Sequence, residues 1–265
     1  MTDHAPTVPT DVAALPGGGS MPLLGFGTWQ LKGSLATDAT RWALEAGYRH
    51  VDTAHVYGNE AAVGAALASA AVDRDDIFVT TKVPPDRLDA RQTLQQSLDE
   101  LGVDHVDLWL IHWPPSGGVA IDRWRALVEA QAAGLARDIG VSNFSLDAID
   151  ALSEASGVRP AVNQVEWSPL LFDSAELDGH RERGIVLEGY SALRGGTLEH
   201  PDIVGIAERL GRSPAQVIVR WHLEHGVVVI PKSQQRERIA ANADVGDFTL
   251  SADDVAALDG LGSSG

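Results

Sequence analysis

Residues 48–60 read Tyr-Arg-His-Val-Asp-Thr-Ala-His-Val-Tyr-Gly-Asn-Glu. A short run led by apolar residues (48–51) feeds a polar turn, and an Ala-rich helical pattern follows from residue 61. The stretch is a strand-to-helix turn. Two ionisable side chains of different type, Asp52 and Tyr57, share it, with a Gly-Asn turn signal directly behind them.

Outward from this turn the same unit recurs. Strand-like runs are expected at 24–27, 48–51, 77–81, 106–111, 136–141, 161–166, 185–190 and 227–230. Helical patterns follow at 36–46, 61–70, 91–101, 121–132, 146–156, 174–183 and 214–225, with a shorter helix at 203–210 and a last pattern at 253–261. Asp89, Ser145 and Ser213-Pro214 supply helix starts. Gly47, Gly102, Gly134, Gly184 and Gly226 supply helix stops. Eight strand–helix units in a chain of this length predict a (β/α)₈ (TIM) barrel. A doubly wound sheet is the alternative, and it needs fewer strands or a second domain. Ahead of the barrel, 12–15 and 21–24 flank Pro16-Gly17-Gly18-Gly19 and read as a β-hairpin. The expected organisation is a tail with the start of the hairpin over 1–20 and one barrel domain over 21–265.

Composition narrows the function. The chain of 265 residues carries 37 acidic and 20 basic side chains, a net charge of −17, which repels nucleic acid. No apolar run approaches the roughly 20 residues that span a bilayer. The first sixteen residues lack the pattern of a secretory signal, so a cytoplasmic location is expected. With no cysteine there is no disulfide, thiolate metal site or cysteine nucleophile. No helix face is continuously apolar, and a monomer is expected.

In a barrel, chemistry sits where strands end. The residues expected there are Thr28 and Trp29; Asp52 and Tyr57; Lys82; His112 and Trp113; Ser142 and Asn143; Asn163, Gln164, Glu166 and Trp167; Tyr190 and Ser191; and Pro231-Lys232-Ser233. Taken singly, Lys82 reads equally as a solvated rim lysine, His112 as a core histidine, Tyr57 as a loop tyrosine and Asp52 as a helix cap. Together on consecutive strand ends they describe a proton donor. A lysine ammonium beside a tyrosine favours the phenolate and is expected to lower a pKa ordinarily near 10. Asp52 is the lysine's counter-ion, and a neutral His112 can donate to a carbonyl. The set holds no nucleophile–base pair, and its spacing offers no zinc site; no metal is expected.

A proton donor without a nucleophile calls for hydride, and a nicotinamide supplies it. Ser142, Asn143 and Gln164 can bond a carboxamide, and Tyr190 can stack on a flat ring. Lys232, Ser233, Arg236 and Arg238 form the densest basic cluster on this acidic chain. There is no Gly-x-Gly-x-x-Gly fingerprint for a Rossmann-type site.

The chain resembles the aldo-keto reductases, most of all the short prokaryotic 2,5-diketogluconate reductase type. The likeness rests on Gly25-Phe-Gly-Thr-Trp29, Gly47-Tyr-Arg-His-Val-Asp-Thr-Ala54, Tyr57-Gly-Asn-Glu60, Thr81-Lys82, Ile111-His-Trp-Pro114, Gly140-Val-Ser-Asn-Phe144, Asn163-Gln-Val-Glu166 and Ile230-Pro-Lys-Ser233, in the family's order. It implies reduction of aldehydes and ketones with NADPH, with Tyr57 as general acid, Lys82 and Asp52 tuning it, and His112 orienting the carbonyl. It further implies nicotinamide contacts at Ser142, Asn143, Gln164 and Tyr190 and pyrophosphate contacts at Ser191 and Leu193. Lys232, Ser233 and Arg238 would meet the 2′-phosphate and Asn242 the adenine, while Trp29, Val56 and Trp113 would wall the substrate pocket. The sequence departs from the family pattern at Ala241, Ala192 and Pro84-Pro85. Because the sequence stops at Gly265, without the family's long C-terminal loop, an open site of broad specificity is expected. The competing functional reading keeps the fold as a non-catalytic nicotinamide-binding sensor or scaffold. A barrel lyase using Lys82 or Lys232 as a Schiff-base amine is a second, which leaves Tyr57 unexplained.

Overall fold

The structure, a computed structural model, describes residues 5–85, 89–115 and 120–262. The outermost ends of the tail and of the expected barrel span, 1–4 and 263–265, lie outside the described residues. An antiparallel hairpin, β1 (Val12–Ala14) and β2 (Ser20–Pro22), comes first. Eight parallel strands follow: β3 (Phe26–Gly27), β4 (His50–Asp52), β5 (Phe78–Val83), β6 (Val106–Ile111), β7 (Ala136–Ser142), β8 (Val162–Glu166), β9 (Val186–Tyr190) and β10 (Val228–Val229). Each pairs with its neighbour in chain order. A parallel bridge from Leu24 to Val229 joins the two edges, and Gly25 and Gly27 donate to Val229 and Pro231. The sheet thereby closes into the expected barrel.

Ten helices are described: α1 (Gly33–Glu45), α2 (Glu60–Ala68), α3 (Ala90–Leu101), α4 (Ala120–Ala132), α5 (Leu146–Ser156), α6 (Ser174–Glu182), α7 (Pro201–Leu210), α8 (Pro214–Glu224), α9 (Arg236–Ala243) and α10 (Ala252–Asp259). They pack their apolar stripes on the strands, which explains why all six residues of β6 are buried. In α3 the buried residues Ala90, Thr93, Leu94, Ser97, Leu98 and Leu101 fall on one face at three- and four-residue spacing. Asp89 caps this helix by accepting from Gln92, and Ser213 closes a capping box with Gln216 at the start of α8. The five helix-stopping glycines all adopt positive φ.

Two expectations need correction. The helix α9 was not anticipated: residues 236–243 carry one large apolar side chain, Ile239, and show no clear period. Strands β3 and β10 are each two residues long, against four expected; at β10, Pro231 lacks the N–H that would extend a ladder. Both changes serve the seam. A Cβ at Gly27 would stand 2.7 Å from the Ile230 carbonyl oxygen, so only glycine lets the two edges approach this closely.

The hairpin covers the end of the barrel opposite the β-to-α turns. Met21 is fully buried there, and Gly17 N–H donates to Asp138 Oδ1 at 2.7 Å, low on β7. The other end stays open, and most of the residues expected at strand ends surround the opening.

Candidate active site

The loop after β4 carries Tyr57 and is fastened from several sides. The Asn59 amide donates to the carbonyls of Thr28 and Leu31, and the Thr53 hydroxyl donates to Asn59 Oδ1. Gly58 turns the chain at φ 58°. One residue further, the buried Glu60 accepts from Thr81 (2.5 Å) and Ser97 (3.0 Å). Lys32 donates to the Tyr57 carbonyl from the exposed side. The loop therefore presents Tyr57 from a braced frame, with no dependence on the tyrosine's own contacts.

Beneath Tyr57, Lys82 of β5 is fully buried. Its ammonium donates to both Asp52 oxygens, at 2.6 and 2.7 Å, and to the Thr53 carbonyl at 2.9 Å. Gln164 donates to Asp52 Oδ2 at 2.9 Å. The Lys82 nitrogen lies 5.3 Å from the Tyr57 ring centroid. The rings of Tyr57 and His112 meet edge-to-face at 5.6 Å. Four side chains from four different segments thus converge, as the strand spacing predicted.

Their electrostatics differ from expectation in one respect. Burial opposes the charge on Lys82, but Asp52 and Tyr57 outweigh it and its pKa is raised. Burial and the nearby Lys82 push His112 down to about 3, so its imidazole is neutral at physiological pH. Tyr57 was expected below its ordinary value. Burial instead holds it above, against a downward pull from Lys82, with Asp52 adding to the rise. Burial of the phenol is the main reason, and Asp52 adds to it by cancelling part of the ammonium's field.

A cleft of about 1090 Å³ opens above this group. Of the residues given a catalytic, cofactor or substrate role, all line it except Lys82, which sits below its floor: Trp29, Asp52, Val56, Tyr57, His112, Trp113, Ser142, Asn143, Gln164, Tyr190, Ser191, Leu193, Lys232, Ser233, Arg238 and Asn242. Thr28, Asn163 and Trp167, also expected at the strand ends, do not: they are buried, and Asn163 donates to the Phe144 carbonyl instead. On one wall Ser142 Oγ donates to the Gln164 carbonyl at 2.8 Å, Asn143 Nδ2 to Ser142 Oγ at 2.9 Å, and the Tyr190 hydroxyl to Asn143 Oδ1 at 2.8 Å. Asn143 and Ser191 hold left-handed backbone at φ 63° and 58°, rare outside glycine and frequent at binding sites. Trp29, Val56 and Trp113 are 42%, 53% and 48% exposed and form an apolar mouth.

At the far end Lys232 and Arg194 stand close enough that burial and the guanidinium lower the lysine's pKa. No carboxylate among the described residues pairs with Arg194, Lys232 or Arg238, whereas Arg209 and Arg236 are paired with Asp254 and Glu45. Unneutralised cations in a cleft on a chain of net charge −17 fit an anionic group. Arg236 leaves the expected basic cluster, because α9 turns it outward to Glu45 at 2.9 Å. Arg194 joins instead, its guanidinium 5.1 Å over the Trp29 ring. The sequence did offer a signal, a cation four residues beyond the end of β9 on an acidic chain. Lys32 also lines the cleft and was not anticipated, while Pro84 and Pro85 are not among the lining residues.

The profile of the Aldo/keto reductase family matches residues 23–263. An aldo-keto reductase of Mycolicibacterium vanbaalenii is 48% identical over 248 residues, covering 91% of this chain and 88% of that protein. One from Mycolicibacterium smegmatis is 44% identical, covering 92% and 90%. The crystal structure of an aldo/keto reductase from Brucella melitensis superposes with a TM-score of 0.90 at 42% identity, covering 96% of this chain and all of that one. The crystal structure of a Bombyx mori aldo-keto reductase in complex with NADP gives 0.88 at 33% identity, covering 96% and 94%. The chain belongs to the aldo/keto reductase family.

Proposed function

We propose that this member of the family reduces aldehydes and ketones to alcohols with NADPH, using Tyr57 as the proton donor. The observation that carries the reading is the convergence of Tyr57, His112 and the buried Asp52–Lys82 pair at the floor of one cleft. The donor set suits the cofactor. Ser142, Asn143 and Gln164 present polar atoms for a carboxamide, Tyr190 a flat ring, and Arg194, Lys232 and Arg238 unpaired positive charge for phosphates. A dinucleotide is the size of ligand that a cleft of about 1090 Å³ accepts together with a small carbonyl compound. The cofactor, when bound, supplies hydride to the carbonyl carbon.

The chain's own residues handle the oxygen. A neutral His112 donates a hydrogen bond to the carbonyl and fixes its direction. As negative charge grows on that oxygen it becomes far more basic than a phenolate, so the proton moves from Tyr57 even though burial holds the phenol's pKa up. Lys82 then faces the phenolate left behind, and its charge stabilises that form. Asp52 keeps the ammonium charged and aimed. The apolar mouth of Trp29, Val56 and Trp113 excludes water and selects substrates by surface rather than by fixed hydrogen bonds.

The reading is tested by following NADPH absorbance across a panel of aldehydes and ketones. The expected result is cofactor consumption matched by alcohol formed, with NADH a poorer donor. Binding of NADPH without turnover of any carbonyl would favour the non-catalytic sensor.

A further inference from the structure

Deep in the barrel lies an acid that the chemistry above leaves unused. Glu188 of β9 is fully buried, and among the described residues no well-formed hydrogen bond reaches either carboxyl oxygen, the Gln164 amide supplying only a small stabilising pull. The register sets it beside Gln164 on β8 and Val228 on β10. Gln164 donates to Asp52, so one amide separates the two acids. On its other side Glu188 Oε1 stands 3.7 Å from His50 Nε2. His50 precedes Asp52 by two residues on β4 and therefore projects to the same face of the strand. The titratable and charged groups facing Glu188 are His50 and Asp52 of β4, Tyr57 of the loop after β4 and Lys82 of β5. Gln164 and Val228 are uncharged.

A carboxylate with no cation paired to it in a dry interior takes up a proton. Burial and then Asp52 push Glu188 up to about 8, against smaller pulls from Gln164 and Lys82. His50 is no counter-ion. Burial drives its imidazole down to about 3, and the ring satisfies Thr80 instead, at 3.1 Å. At neutral pH the interior thus holds a neutral acid next to a neutral ring, directly below one ion pair.

We infer that Glu188 is a positioning residue for the proton transfer: kept neutral it leaves the Lys82 charge to Asp52 and Tyr57, and ionised it adds a second anion that binds the Tyr57 proton more tightly. The inference rests on the reading of Tyr57 as proton donor. In alcohol oxidation Tyr57 must accept a proton as phenolate. An ionised Glu188 opposes that phenolate, so it holds back oxidation at alkaline pH and leaves the reaction near neutrality untouched.

The test compares the pH profile of NADP⁺-dependent alcohol oxidation in the intact protein and in Glu188→Gln. The profiles are expected to coincide below neutrality and to part above about pH 8, the range in which Glu188 ionises. The variant's alkaline midpoint is expected to be lower by about one pH unit, the order of shift that a neighbouring charge produces at an effective dielectric near 20. Carboxyl ¹³C NMR of glutamate-labelled protein follows the same ionisation without turnover. One resonance is expected to titrate well above the other glutamates and to vanish in Glu188→Gln. Should that variant not fold, Glu188→Leu fills the space without needing a partner and carries the same kinetic prediction. Superimposable profiles, a uniform loss at every pH, or a Glu188 resonance titrating with the surface glutamates would overturn the inference. Absence of turnover in the intact protein would overturn the reaction and this inference with it. The NMR titration distinguishes that case from a Glu188 that never ionises.

Discussion

Lys82 and Asp52 have fully and almost fully buried side chains, 0% and 3% exposed. Such a pair is costly to break, because removing one partner leaves a charge in a dry site. Lys82→Met is expected to abolish turnover and to destabilise the fold by about 3–5 kcal/mol, read from urea unfolding. Adding Asp52→Asn to Lys82→Met is expected to restore most of the stability and none of the turnover. Recovery of turnover in the double variant would mean that Lys82 is needed only to neutralise Asp52. The pair was legible in the sequence because both residues end strands, and so were Tyr57 and His112. Glu188 was not. In Ile-Val-Leu-Glu-Gly-Tyr (185–190) a glutamate reads as the solvent-facing step of an alternation, and only barrel closure turns it inward. Tyr57's raised pKa was equally hidden, since the sum of a charge, its counter-ion and burial depends on distances that no sequence carries.

Among the elements, helix caps and glycine stops were the most readable, as their signals are local: Asp89, Ser145 and Ser213 all cap where expected. Helix α9 and the short β10 escaped notice because closure of the seam, a contact between the two ends of the sheet, decides them. Gly140 shows how tightly the elements meet. A Cβ there would come within 2.5 Å of the Val162 carbonyl oxygen and 2.7 Å of Leu110 Cδ2. Gly140→Ala is expected to force β7 away from β8 and to cost roughly 1–3 kcal/mol. It is also expected to weaken NADPH binding, because Ser142 and Asn143 follow on the same strand. An unchanged unfolding midpoint would show that the strands can part without strain.

For the whole molecule, buried titratable groups set the pH range of stability. Burial drives His50 and His112 to about 3 and His222 to about 4, against an ordinary value of 6.5. The unfolded chain binds those protons first, so stability is fully present above pH 6.5 and is lost as pH falls through about 4 and on to about 3. Glu188 acts in the opposite sense. Its folded pKa is raised, and its contribution fades as pH rises from 4.5 to about 8. The melting temperature is expected to fall on acidification below pH 6.5, and His222→Gln to shallow that fall. A flat melting temperature down to pH 4 would contradict the neutral burial of these histidines. The barrel itself was legible from eight strand–helix units, while the closure that brings β3 to β10 and builds the cleft around the seam emerges only in three dimensions.

The most direct test of Tyr57 as proton donor is a single comparison, NADPH-dependent reduction of a reactive aldehyde by the intact protein and by Tyr57→Phe, with NADPH affinity measured in parallel. The phenyl ring keeps the edge contact with His112 and removes only the hydroxyl. The expected result is loss of turnover by roughly a hundredfold or more, the usual scale for a general acid, with cofactor affinity unchanged. Turnover retained in Tyr57→Phe would contradict the assignment and hand the proton to another group in the cleft.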